Sequence, residues 1–307
     1  MGGLTLAERY FARHGLPLLR EKFQPYEARI AAGLVGDGSD CLGFDDELSM
    51  DHDWGPGLCL WLAKPDHDEI GQALQREYES LPKTFEGFER STSEWGGGRV
   101  GVFETGAFYR GFLGRLTVPE TSFEWLRIPE KNLAACTSGK VFHDPLGEFS
   151  GMRQQLLAFY PDDVRIAKIA ARCMSAGQSG QYNFLRCLQR QEYFAAQYAE
   201  TKFCTDMMSL VYLLNRKYAP YYKWMHRGIA DLPRMGYFLF GKIAAMTATR
   251  DQEEKKSIID EICAAAIQEI QAEELSDSIS RFLVDHGPVV HKKIRDAGLR
   301  KLNVWIG

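Results

Sequence analysis

Along residues 4–23 the apolar positions Leu6, Tyr10, Phe11, Leu18 and Leu19 fall at helical spacing, and a break at 15–17 divides a leading helix from a short second turn. The period then changes. Residues 29–35 read as a short strand, 36–49 as a loop rich in Gly and Asp, and 58–63 (LCLWLA) as a continuous apolar run suited to a buried strand. Residues 69–80 set Ile70, Leu74 and Tyr78 on one helix face, and 99–103 (RVGVF) alternates as a further strand after a turn at 94–98. Helix, strand, acidic loop, strand, helix, strand is the order of a mixed chain, not of an all-helical one.

Beyond about Gly151 the strand signals fade. Residues 164–174, 182–215, 221–232, 251–274 and 276–285 carry helical spacing, punctuated by Gly177, Gly180, Pro220, Pro233, Gly287 and Pro288. Ile258, Ile259, Ile262, Cys263, Ala266, Ile267 and Ile270 form the clearest apolar stripe, opposite a charged face. The spacing therefore predicts an α+β protein of two domains. The first, over 1–148, is a mixed sheet with flanking helices; the second, over 149–307, is a helical bundle, and HDPLGEFSG supplies the turn residues between them.

Composition adds exclusions. The 307 residues are 45% hydrophobic and 25% charged, which excludes intrinsic disorder, and the 29 Gly and 12 Pro follow no period. A net charge of -4 gives no general pull on phosphate backbones, so a nucleic-acid partner is not expected. Seven cysteines without a C-x-x-C pair fit reduced, buried thiols better than a disulfide framework or a zinc site. Charges interrupt every apolar run of the first 20 residues, and no stretch approaches the roughly 20 apolar residues of a bilayer crossing. These features lead us to expect a cytoplasmic protein.

One segment stands apart. Between Ile30 and Ala63 there is no Lys or Arg, yet the stretch holds Asp37, Asp40, Asp45, Asp46, Glu47, Asp51 and Asp53. On composition alone it reads equally as a solvated acidic loop. Its arrangement adds more. Asp51 and Asp53, two apart, would project to one side of a strand, and such a pair suits Mg²⁺, which takes one or two carboxylates and completes its shell with water and phosphate. Upstream, Gly38 lets a phosphate approach the backbone closely, and Ser39 adds a hydroxyl donor.

The string Gly38-Ser39, eleven residues, then Asp51-His52-Asp53 resembles the signature of the DNA polymerase beta-type nucleotidyltransferase superfamily. The fuller run GSDCLGFDDELSMDHDWGPGLCLWL is similar to a group of bacterial nucleotidyltransferase-like proteins in which a helical C-terminal half follows the catalytic domain, as in the kanamycin nucleotidyltransferase type. The resemblance implies that Asp51 and Asp53 hold Mg²⁺ or Mn²⁺, that Gly38 and Ser39 hold the β- and γ-phosphates of a nucleoside triphosphate, and that a third carboxylate completes the site. Glu104, ending the RVGVF strand, is the candidate for that third ligand, with Glu120 and Glu124 as alternatives. Gly55-Pro56-Gly57 departs from the family pattern by interrupting the strand after the second Asp.

Outside that segment, Arg186 and Arg190 lie four apart on a helix, where they can face the interdomain cleft as nucleotide contacts or pair with Glu192 or Glu200. Lys223, among Tyr218, Tyr221, Tyr222 and Trp224, is a further nucleotide-binding candidate. Arg281 and His286 match a loose Arg-x4-His pattern of helical ribonucleases, given that Gly287-Pro288 ends the helix there. The expected activity is Mg²⁺-dependent transfer of a nucleoside monophosphate to a hydroxyl of a small molecule or protein. The alternative is a nucleotide-binding sensor or antitoxin-like protein of the same fold without turnover. The acceptor, the base and the oligomeric state stay open.

Overall fold

The computed structural model describes residues 1–51, 53–91 and 98–307. It is an α+β protein: a mixed sheet with flanking helices, followed by a large helical bundle. The chain forms two compact units, Met1–Pro119 with Asn132–Ala158, and Glu120–Lys131 with Phe159–Gly307. The turn expected at 94–98 falls largely outside the described residues.

The first unit is built on β1 (Ala31–Leu34), β2 (Cys59–Leu62), the two-residue strands β3 (Thr84–Phe85) and β4 (Phe88–Glu89), β5 (Gly101–Glu104) and β6 (Lys140–His143). The main sheet runs β5-β2-β1-β6; β1 is antiparallel to β2 and β6, and β2 is parallel to β5. β3 and β4 form a separate hairpin, closed by Glu86 and Gly87 in left-handed conformations.

Both faces of β2 are covered, which is why LCLWLA carries no polar residue. Successive strand residues point to opposite faces, so Leu58, Leu60 and Leu62 join a core with Tyr10, Phe11, Leu74 and Tyr78. Trp61 faces the other way and stacks on Phe149 with ring centroids 3.8 Å apart. In β1, Gly33 has no room for a side chain, since a Cβ would meet Lys140 O at 2.5 Å and the Trp61 ring at 3.1 Å. The large indole on β2 and the small residue on β1 therefore specify each other.

At the N-terminus the expected break at 15–17 is absent. Helices Gly3–Tyr10 and Leu16–Lys22 are joined by a π turn at Phe11–Gly15, with Pro17 in the first turn of the second, where a missing N–H costs nothing.

In the second unit, helix Asp162–Gly177 is buried along most of its length and packs against Tyr193–Leu214 and Leu283–Lys292. The stripe read over 258–270 is buried in helix Gln252–Ala272. Arg165 is buried with its charge balanced, its guanidinium donating to Leu213 O at 2.8 Å and to Glu273 at 2.6 Å. Two readings are corrected here. Residues 276–282 are not helical, and Gly287-Pro288 does not end a helix but lies within Leu283–Lys292. Gly287 lies against Met174 and the carbonyl of Ala170, so the missing side chain permits a close crossing in a helix that also holds Pro288, a residue that costs about 3 kcal/mol in a helix interior.

Replacing Trp61 by Ala removes the indole that fills the space between Gly33 and Phe149. Urea unfolding is expected to show a loss of about 3–5 kcal/mol, and a loss below about 1 kcal/mol would contradict this account of the core.

Candidate functional site

Strand register decides which candidates meet. Gly33 pairs with Cys59 and Cys59 with Gly101, so β1 ends where β2 and β5 begin. The segments that leave β1 and lead into β2 and β5 therefore converge at one end of the sheet. They carry Gly38, Asp53 and Arg99.

Gly38 takes an extended conformation (φ -66°, ψ 148°) and starts the short helix Ser39–Leu42, which Gly43 ends in the left-handed region. Gly36 and Cys41 are tied to the segment before β6: Ser138 Oγ donates to Gly36 O at 2.7 Å, and Gly139 N–H to Cys41 O at 2.8 Å. Asp40, expected as one acid of a solvated loop, is buried, and its Oδ1 accepts the Cys41 N–H at 2.7 Å. Asp45 fixes the loop to the N-terminal helix, accepting from Gly3 N–H at 2.6 Å and from Trp54 Nε1 at 3.0 Å.

The aspartate pair does not lie on a strand. Asp51 ends a 3₁₀ turn over Glu47–Asp51 and is exposed, while Asp53 is half-buried with a left-handed backbone (φ 53°). His52 between them lies outside the described residues. The reason lies in the following Gly55-Pro56-Gly57, where Gly55 (φ 115°) passes so close to the backbone of Glu89 and Arg90 that a side chain would clash. That crossing delays the strand until Cys59. The alternation that would put the two carboxylates on one face is therefore not available to them.

Arg99 is the residue sequence reasoning missed. Its guanidinium forms an ion pair with Asp40, donates to Asp53 O, and reaches Cys41 Sγ at 3.8 Å. A side chain on Gly38 would fall on Arg99 Nη2 and Asp40 Oδ1. Burial opposes the Arg99 charge, but Asp40 and Cys41 beside it outweigh burial and hold its pKa above the usual arginine range. Burial likewise pushes the thiols up, Cys59 to about 12, so neither it nor Cys41 is a nucleophile here. The signal was present: seven acids without a local cation require compensation from elsewhere, and Arg90 and Arg99 are basic residues nearby in the chain.

Arg90 donates to Pro56 O at 2.6 Å and lies over the Tyr78 ring at 4.9 Å. With Leu34, Asp40, Asp53, Trp54 and Arg99 it lines a small cavity.

Glu104 is at the opposite end of β5, beside Leu62, about 10 Å along the strand from Gly101. Its two carboxylate oxygens accept the N–H groups of Gly106 and Ala107 at 2.8 and 2.7 Å, capping helix Thr105–Leu113. Glu124 also serves a cap, in a capping box with Thr121. Arg186, Arg190 and Lys223 are exposed in the second unit; Arg186 lies over Tyr182 at 4.7 Å and Lys223 over Trp224 at 4.9 Å. His286 is fully buried, its ring nitrogens bonded to Ser276 Oγ at 2.8 Å and Ser280 O at 2.9 Å, which accounts for it as a structural residue. Among the described residues no group of three or more His, Cys, Asp or Glu forms a metal cluster, and no helix is long and apolar enough to cross a membrane.

If Glu104 is a cap, Glu104→Ala should lower the unfolding free energy by about 0.5–2 kcal/mol. A gain in stability would mean that the carboxylate is held there at a cost, contrary to this assignment.

A family model described as a domain of unknown function (DUF4037) matches residues 125–225. No curated protein matches the chain. Among solved structures, the chain is similar to a nucleotidyltransferase-like protein from Exiguobacterium sibiricum 255-15, with 10% identity, a TM-score of 0.34, and coverage of 86% of this chain and 81% of that one.

Proposed function

We propose that this protein is a magnesium-dependent nucleotidyltransferase that takes a nucleoside triphosphate at the Gly38 end of the sheet and moves the nucleoside monophosphate to a hydroxyl of a small molecule or protein. One observation carries the reading. Asp40, in the helix Ser39–Leu42 that follows Gly38, and Asp53 line the same cavity, although 12 residues lie between them in sequence.

The donor chemistry fits the ion. Asp51 and Asp53 present hard carboxylate oxygens, the ligand type Mg²⁺ selects, with Asp53 lining the cavity and Asp51 exposed to solvent. Asp51 and Asp53 would hold the divalent ion, which would supply charge neutralisation for the triphosphate and lower the pKa of an attacking hydroxyl. Gly38 carries no side chain of its own, and the space before it is taken by the Arg99 guanidinium and the Asp40 carboxylate, while the half-buried Ser39 hydroxyl is a donor for a phosphate oxygen. Catalysis by such a site is chiefly positioning and charge compensation, with little covalent chemistry asked of the side chains.

A second reading has its own observation. Arg99 already compensates Asp40, and the carboxylate of Glu104 is engaged in a helix cap at the far end of β5. Both features favour a protein that binds nucleotide without turnover. Pyrophosphate release, measured with Mg²⁺ or Mn²⁺ across hydroxyl acceptors, separates the two. The transferase reading expects Asp51→Asn and Asp53→Asn each to reduce release by about a hundredfold or more. Release that survives both substitutions contradicts it. Binding of a nonhydrolysable triphosphate with no release for any acceptor favours the sensor.

A further inference from the structure

The acidic cavity holds two arginines in unequal states. Arg90 is fixed on three sides, by Pro56 O, by the Tyr10 hydroxyl at 3.3 Å and by the Tyr78 ring. Arg99 is held differently. Its terminal nitrogens go to the Asp40 carboxylate and the Asp53 carbonyl, while its buried Nε–H has no acceptor among the described residues. A buried donor left unsatisfied is costly, and a guanidinium fork matches phosphate geometry as well as it matches a carboxylate.

Position adds to this. The guanidinium occupies the space in front of Gly38, where a side chain would collide with it. The glycine that sequence reasoning reserves for a phosphate is thus filled by an arginine. The cavity that Arg99 and Asp40 line is small. A polyphosphate can reach the Gly38 backbone only if Arg99 releases Asp40.

We propose that Arg99 is the polyphosphate ligand of this site and that Asp40 is its internal competitor, an arginine–carboxylate latch that must exchange its carboxylate for phosphate when the ligand enters. The inference rests on the triphosphate reading above and adds a binding residue and a built-in restraint on affinity. The exchange swaps one anion for another at the same guanidinium, so the arginine keeps its charge compensated in both states. Asp40 keeps its backbone bond to the Cys41 N–H on release.

Titration calorimetry with inorganic tripolyphosphate, alongside a nonhydrolysable nucleoside triphosphate, tests this on the full chain. Asp40→Asn keeps the acceptor for Cys41 N–H but removes the competing charge. It should bind tripolyphosphate about tenfold more tightly than the unaltered protein. Arg99→Gln should bind at least about tenfold more weakly, and in that background Asp40→Asn should bring no gain, because the two residues act through one contact. Arg99→Lys preserves the charge without the fork, and weakened binding with unchanged thermal unfolding in that variant supports a ligand role if Arg99→Gln fails to fold.

A purely structural ion pair predicts otherwise: Asp40→Asn would leave binding unchanged or weaken it. Binding that is equal in the unaltered protein, Asp40→Asn and Arg99→Lys overturns the latch and leaves the triphosphate reading standing. No binding of either probe by any form, Asp40→Asn included, overturns both.

Discussion

Seven acidic residues between Ile30 and Ala63, with no cation among them, set the electrostatic problem that this end of the sheet has to solve. The structure solves it with Arg99, brought in from the far side of the sheet order, and with hydrogen bonds that hold Asp45 to Gly3 and Trp54. Buried carboxylates without partners would be expensive, and breaking a buried pair by removing one member typically costs about 3–5 kcal/mol. The ion pair between Asp40 and Arg99 therefore stabilises this loop, and it is the contact on which the proposed latch acts.

Sheet register sets where that local solution sits. Because β1 runs antiparallel to β2 and β2 parallel to β5, three chain segments distant in sequence open at a single end. The same register sends Glu104 to the other end, where its carboxylate is engaged by a helix N-terminus. The covering of β2 on both faces, by Leu74 and Tyr78 on one side and Phe149 on the other, fixes this register: a shift of one residue would exchange Trp61 with Leu60 and drive the indole into the wrong layer.

Much of this was legible along the chain. The buried strand at 58–63, the helix over 69–80 and the helical second half follow from apolar periodicity, which reports burial directly. What periodicity cannot report is where the backbone is forced out of regular structure. The passage of Gly55 against Glu89 and Arg90 is a contact between remote segments, and it lies between Asp51 and Asp53 and the start of the strand at Cys59. Pro288 inside a helix is a case of the same kind, since the packing of Gly287 on Met174 overrides a local stop signal. Helix Gly236–Ala248 also escaped detection, as its residues are apolar nearly all round and give no stripe. The pairing of Arg99 with Asp40 spans 59 residues and has no spacing rule; only the charge imbalance hinted at it.

The central claim is that the end of the sheet formed by Gly38, Ser39, Asp51 and Asp53 receives a metal-bound triphosphate. A crystal structure of the protein with Mn²⁺ and a nonhydrolysable nucleoside triphosphate, read through the anomalous signal of manganese, tests it most directly. The account predicts manganese on the Asp51 and Asp53 carboxylates with phosphate oxygens against Gly38 and Ser39. Manganese and nucleotide bound elsewhere, with these four residues untouched, would contradict it.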